Sequence, residues 1–200
     1  MTKIKLYERL PKGVTANGRF YKCDFDFRNV LKMLDIMQRD DIYITARDYL
    51  CVKCLISHKM TLKTASGVYK ALCDLLFEKP EKTGEKPLTS WEQDAGLIRA
   101  AFRQVYGINL YVDRLTWFEF IELLHALPDG NRYEEVIGIR ARPIPAANKY
   151  NAKEREWLIN AKRAVAIEIS DEDRAEQYEK NVGRVFDVLF AYYSDKDVKK

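Results

Sequence analysis

Between Thr89 and Pro143 the chain carries start and stop signals for two amphipathic helices, and these restrict its fold more than any other segment does. Ser90 is a strong N-cap type ahead of Trp91. The pairs Thr89/Glu92 and Ser90/Gln93 have capping-box spacing, so the first amides of a helix opening at Trp91 have side-chain acceptors. Trp91, Ala95, Ile98, Phe102 and Val105 recur every three or four residues and so share one face, and Gly107 stands where a left-handed C-cap is wanted. The pattern restarts after residues 108–114. Thr116 and Glu119 form a second capping box before Trp117, Phe118, Phe120, Ile121, Leu124 and Leu127, and Pro128-Asp129-Gly130 ends that helix.

The rest of the chain reads in the same way. Asn17-Gly18 is the favoured pair for a type I′ turn, which predicts a small hairpin over residues 14–23. Asp24 or Asp26 can cap a helix built on Phe27, Val30, Leu31, Leu34 and Met37. Thr45 can cap the next, with Tyr49, Val52, Leu55 and Ile56 as its apolar side, and a third runs from about Thr64 to Phe77. Residues 78–89 hold Lys79-Pro80, Thr83-Gly84 and Lys86-Pro87 among alternating charges, the composition of a mobile loop. Arg142-Pro143-Ile144-Pro145 breaks the chain again before a helix capped by Asn151 that carries Trp157, Leu158, Ala161 and Val165. The last helix starts at Ser170 with acidic residues in its first turn. Its Ala175, Tyr178, Val182, Val185, Leu189 and Tyr192 form a heptad-type seam, which suits either packing on its own domain or contact with a partner.

Composition narrows the functional classes. With 47% hydrophobic and 32% charged residues, the chain suits one folded core and has no long apolar run for a membrane span. Residues 1–11 lack the apolar centre of a secretion signal, so the expected location is the cytoplasm where the chain is made. A net charge of +4 with interspersed signs gives no argument for nucleic acid. The aromatic-basic run Arg19-Phe20-Tyr21-Lys22 is the best stacking candidate, on an element too short for a nucleic-acid sheet.

For metal chemistry, Cys51, Cys54 and His58 fall at i, i+3 and i+7 on one helical face, with Cys23 or Cys73 as a further thiol for a tetrahedral zinc. Against this, the pair lies inside an apolar helical pattern, where free cysteine is an ordinary small core residue. There is no GxSxG, GxGxxG or P-loop pattern, and with two histidines, His58 and His125, a nucleophilic triad has few members. The expectation is a non-enzymatic chain without a cofactor.

The runs SWEQDAGLIRAAFRQVYGINL and LTWFEFIELLHALPDGNRYEEVIGIRARPI resemble the phage family often called gene product fifteen, of tailed phages and prophages of Gram-positive bacteria. The likeness continues upstream in VTANGRFYKCDFDFRNVLKMLDIM and downstream in EREWLINAKRAVAI, covering about residues 10–168. It implies a tail assembly chaperone of the host bacterial cytoplasm. Such a protein keeps the tape measure protein soluble while major tail tube subunits gather, with self-association open. Alternatives are a structural tail component retained in the virion, or a zinc- or nucleic-acid-binding helical protein. The expected fold is mainly α, a compact bundle-like domain of six to eight helices over residues 1–168 with an N-terminal β-hairpin, followed by a C-terminal helix and charged tail over 169–200. Trp117, Phe118 and Phe120, with Val182, Val185, Leu189 and Tyr192, are the candidate partner surface.

Overall fold

The computed structural model describes residues 4–77 and 87–168. It is mainly α, with seven helices among the described residues and one two-stranded antiparallel hairpin. The hairpin joins β1 (Gly13–Ala16) to β2 (Arg19–Lys22) through Asn17 and Gly18. Both turn residues have left-handed φ, 52° and 72°, as a type I′ turn demands. Gly13 is required by contact: a Cβ there would collide with the Tyr21 carbonyl oxygen.

Three helices follow in sequence and pack in that order, α1 (Phe27–Met37), α2 (Ile44–Leu55) and α3 (Leu62–Leu76), with β1 against α3. Asp26 is the cap of α1, its carboxylate accepting from the Arg28 amide at 3.0 Å. Two starts differ from the sequence reading. Helix α2 begins at Ile44 behind Tyr43, with no side-chain cap, so Thr45 lies in its first turn. Helix α3 begins at Leu62, because Thr61 accepts from the Thr64 amide and moves the start one half-turn upstream.

Helix α4 (Ala95–Tyr106) also starts later than its stripe suggests. Ser90 does accept from the Gln93 amide, but residues 91–94 form a turn and the regular helix opens only after Asp94. At its other end Gly107 (φ 69°) closes it in the left-handed conformation. Helix α5 (Trp117–His125) carries the reciprocal capping box of Thr116 and Glu119. A helix not expected from the sequence, α6 (Arg132–Ala141), is capped by Asn131, whose side chain accepts from the Glu134 amide at 3.0 Å. Only Tyr133 and Val136 of α6 are buried, so its apolar stripe is too thin to read from spacing.

The chain divides into two compact units, Met1–Pro143 and Ile144–Lys200, within the break Arg142-Pro143-Ile144-Pro145. The helix and charged tail expected over residues 169–200 lie outside the described residues. The first unit holds an apolar core drawn from the hairpin and α1 to α6. In the second, α7 (Ala152–Ala164) has Asn151 at its cap position, but the Asn151 side chain bonds back to the Ala146 carbonyl and the Asn148 amide. Leu158 is the buried residue of α7 and Trp157 is exposed.

Candidate partner clefts around helix α5

Helix α5 is placed by its neighbours through backbone and charge together. The strand-like segment 25–27 runs antiparallel to 115–117: the Trp117 amide donates to the Phe25 carbonyl at 2.7 Å and the Phe27 amide to the Leu115 carbonyl at 3.1 Å. Around this pairing, Arg28 donates to both Asp26 oxygens and to the carbonyls of Leu110 (2.9 Å) and Asp113 (2.7 Å). Arg114 reaches back to Asp24 at 3.0 Å and Asp26 at 3.3 Å. The sequence CDFDFR therefore acts as a clamp. Its aspartates hold the two arginines, and its phenylalanines face the α5 aromatics, with Phe25 edge-on to Phe118 at 5.5 Å and Phe27 stacked on Phe120 at 4.6 Å.

This geometry corrects the reading of the α5 aromatics as an open surface. Trp117, Phe118 and Phe120 are 3%, 0% and 1% exposed. Phe120 also stacks on Phe102 at 5.3 Å, and the Trp117 indole N–H donates to the Leu76 carbonyl at 3.3 Å. They form the aromatic centre of the first unit. The other candidates, Val182, Val185, Leu189 and Tyr192, lie outside the described residues.

Two clefts open on either side of Trp91, which contacts both Trp117 (5.9 Å) and Phe120 (6.2 Å). The first, about 280 Å³, runs between α1 and α4; Phe27, Leu31, Ile98, Leu110 and Phe120 line it, with Lys32, Asp35 and Arg99 among its polar residues. Tyr111, 73% exposed, stands at its edge with the Arg99 guanidinium 4.9 Å from its ring centroid. The second, about 730 Å³, is lined by Leu76, Trp117, Ile121, Leu124 and Ile137, with Tyr133 and the exposed His125. Burial pushes the Tyr133 phenol above its ordinary pKa, and it shares a 2.9 Å hydrogen bond with the Thr89 hydroxyl.

Trp91 is positioned by a buried ion pair. The Arg140 guanidinium meets Asp94 in two parallel bonds, 2.6 and 2.9 Å, and donates to the Leu88 carbonyl at 2.8 Å; Asp94 also accepts from the Ser90 amide at 2.8 Å. Neither partner was singled out by the sequence reading. The signal that would have found them, an aspartate within an apolar helix start and an arginine on a weakly apolar one, has no local meaning.

The thiols do not gather as the spacing suggested. Helix α2 ends at Leu55, so His58 leaves the face that Cys51 and Cys54 share. It is exposed, 3.5 Å from Arg19. Cys51 is fully buried, its thiol directed at the Met33 carbonyl, and desolvation pushes its pKa up to about 12; burial pushes Cys23 up to about 11. Among the described residues no group of three or more His, Cys, Asp or Glu side chains is placed to hold a metal ion. Of the run Arg19 to Lys22, Tyr21 is buried, which leaves Phe20 as its one exposed ring. No helix among the described residues is long and apolar enough to cross a membrane.

One family model, described as Bacteriophage Gp15 protein, matches residues 6–167, a stretch that runs from before the hairpin to the residue before Glu168. The chain belongs to that family. Searches of curated proteins and of solved structures find no match. As a Gp15-family protein it is a bacteriophage protein, and the matched stretch includes every residue of the clamp and of both clefts.

Proposed function

We propose that this Gp15-family protein is a non-enzymatic tail assembly chaperone. In this reading it holds apolar helical stretches of the tape measure protein in the host cytoplasm and brings major tail tube subunits to them. The observation that carries the reading is the cleft between α1 and α4. It combines apolar side chains with charges of both signs, Lys32, Asp35 and Arg99, which is the complement of an amphipathic helix laid in a groove. Because Phe27 and Phe120 are fixed by the clamp and the aromatic stack, the groove is preformed and little ordering cost falls on binding.

The test is co-expression with the tape measure protein of the same phage, followed by size exclusion with light scattering. The expected result is a soluble complex that is lost with Leu31→Asp or Tyr111→Asp, both at the cleft and neither fully buried. A tape measure protein that stays insoluble beside the wild type overturns the chaperone reading. A complex that survives both substitutions moves the site away from this cleft. Stoichiometric amounts of the chain in purified tails, read by mass spectrometry, would make it a structural component instead.

A further inference from the structure

Away from the α5 clefts, the hairpin presents a strand edge with unused backbone groups. In a two-residue hairpin the closing pair, Ala16 with Arg19, exchanges hydrogen bonds, and so does every second pair beyond it, Val14 with Tyr21. The bond from the Cys23 amide to the Lys12 carbonyl continues the same alternation. Phe20, Lys22 and Asp24 therefore direct their amides and carbonyls to the opposite side. At Asp24 that side is already in use, because its amide donates to the Leu55 carbonyl at 2.8 Å. Beyond this bond β2 and the extended residue Ile56 diverge, opening a cleft of about 570 Å³ lined by Phe20, Lys22, Ile56, His58 and Arg114. Among the described residues the Phe20 and Lys22 backbones have no partner on this side.

The charge around the edge is one-sided. Arg19, Lys22 and Arg114 line the cleft beside a single acid, Asp24, which Arg114 already holds at 3.0 Å. Neither Arg19 nor Lys22 has an ion-pair partner among the described residues. A basic edge repels a second copy of itself, and an edge lysine is a common guard against such self-pairing. The same charges attract an acidic strand. Phe20, 58% exposed, adds an apolar ring on the face it shares with Lys22.

We propose that the free edge of β2 receives an extended, acidic segment of a partner protein, which adds a third strand to the hairpin by pairing with the backbones of Phe20 and Lys22. Main-chain bonds supply the pairing and Arg19 and Lys22, the cations of this edge without an ion-pair partner among the described residues, select acidic side chains. This site shares no residue with the cleft between α1 and α4, so it stands or falls independently of that reading.

The test uses the full chain and a fluorescein-labelled peptide of alternating Glu and Val, read by anisotropy, with amide exchange of Phe20 and Lys22 followed by NMR. Binding is expected to protect both amides, to weaken with salt, and to fall at least about tenfold in Lys22→Glu. The same peptide N-methylated at alternate residues is expected not to bind. Phe20→Pro removes an outward donor while the bonds of Arg19 and Tyr21 close the hairpin, so it weakens binding more than Phe20→Ala does. Equal affinity for the N-methylated peptide or for heparin overturns the proposal, since the edge would then sense only charge. So do an absence of binding at millimolar peptide, unchanged affinity in Lys22→Glu, and a concentration-dependent dimer whose Phe20 and Lys22 amides are protected without peptide.

Discussion

Replacing Arg140 by methionine tests the argument that one buried ion pair positions Trp91. Asp94 is 2% exposed and keeps only the Ser90 amide, at 2.8 Å, once the two guanidinium bonds are gone; the Leu88 carbonyl loses its donor as well. Breaking a buried pair from one side leaves a carboxylate out of water and costs about 3–5 kcal/mol. At about 2–4 °C per kcal/mol for a chain of this size, the melting temperature falls by roughly 6–20 °C. Adding Asp94→Asn removes the stranded charge but keeps an acceptor for the Ser90 amide, so the double variant recovers most of that loss, to within about 1–2 kcal/mol of wild type. Urea unfolding of the four proteins completes a double-mutant cycle, and Trp91 fluorescence in a background lacking the other two tryptophans reports local order. A loss below about 1 kcal/mol in Arg140→Met, or a double variant no better than the single, would refute the reasoning, because the pair would then behave as a solvent-screened contact.

Three further outcomes follow from the geometry. Phe120→Ala empties the centre of a stack shared with Phe27 and Phe102 and should cost about 3–5 kcal/mol, measured by thermal unfolding; a stable variant that loses only partner binding would return Phe120 to the surface. Thr116→Ala removes the capping box of α5 and should cost about 0.5–2 kcal/mol, with amide exchange rising first at Phe118 and Glu119. The Cys51 thiol is held neutral in the folded state up to about pH 12 against an ordinary value of 9.0, so its contribution is intact below pH 9 and is lost as pH rises from 9 towards 12. Stability of Cys51→Ala should therefore fall less steeply than wild type between pH 8 and 11, and parallel slopes in urea titrations would contradict the burial argument.

Local chemistry carried much of the fold. Asn17-Gly18 set a type I′ turn, Thr116 with Glu119 a capping box, and Gly107 a left-handed stop, and each acts as the sequence indicates because the relevant forces span four residues or fewer. Helix starts were less legible: Thr45 is a good cap type but bonds no amide and lies inside α2, while Thr61, upstream of the expected start, accepts from the Thr64 amide and opens α3. Helix α6 escaped notice since its burial rests on two residues and its anchor, Arg140, pairs with an aspartate on another element. The candidate site shows the same division. The sequence marked Trp117, Phe118 and Phe120 as apolar positions of one capped helix, but spacing cannot say whether such positions meet solvent or their own chain. Contacts between residues far apart in sequence decided that, through the pairing of Phe25 and Phe27 with Leu115 and Trp117 and the stacking of α5 between Phe27 and Phe102. The same long-range packing left the α1/α4 cleft and the β2 edge open. A side chain's solvent exposure is fixed by what the rest of the chain brings against it, and no window of neighbouring residues contains that information.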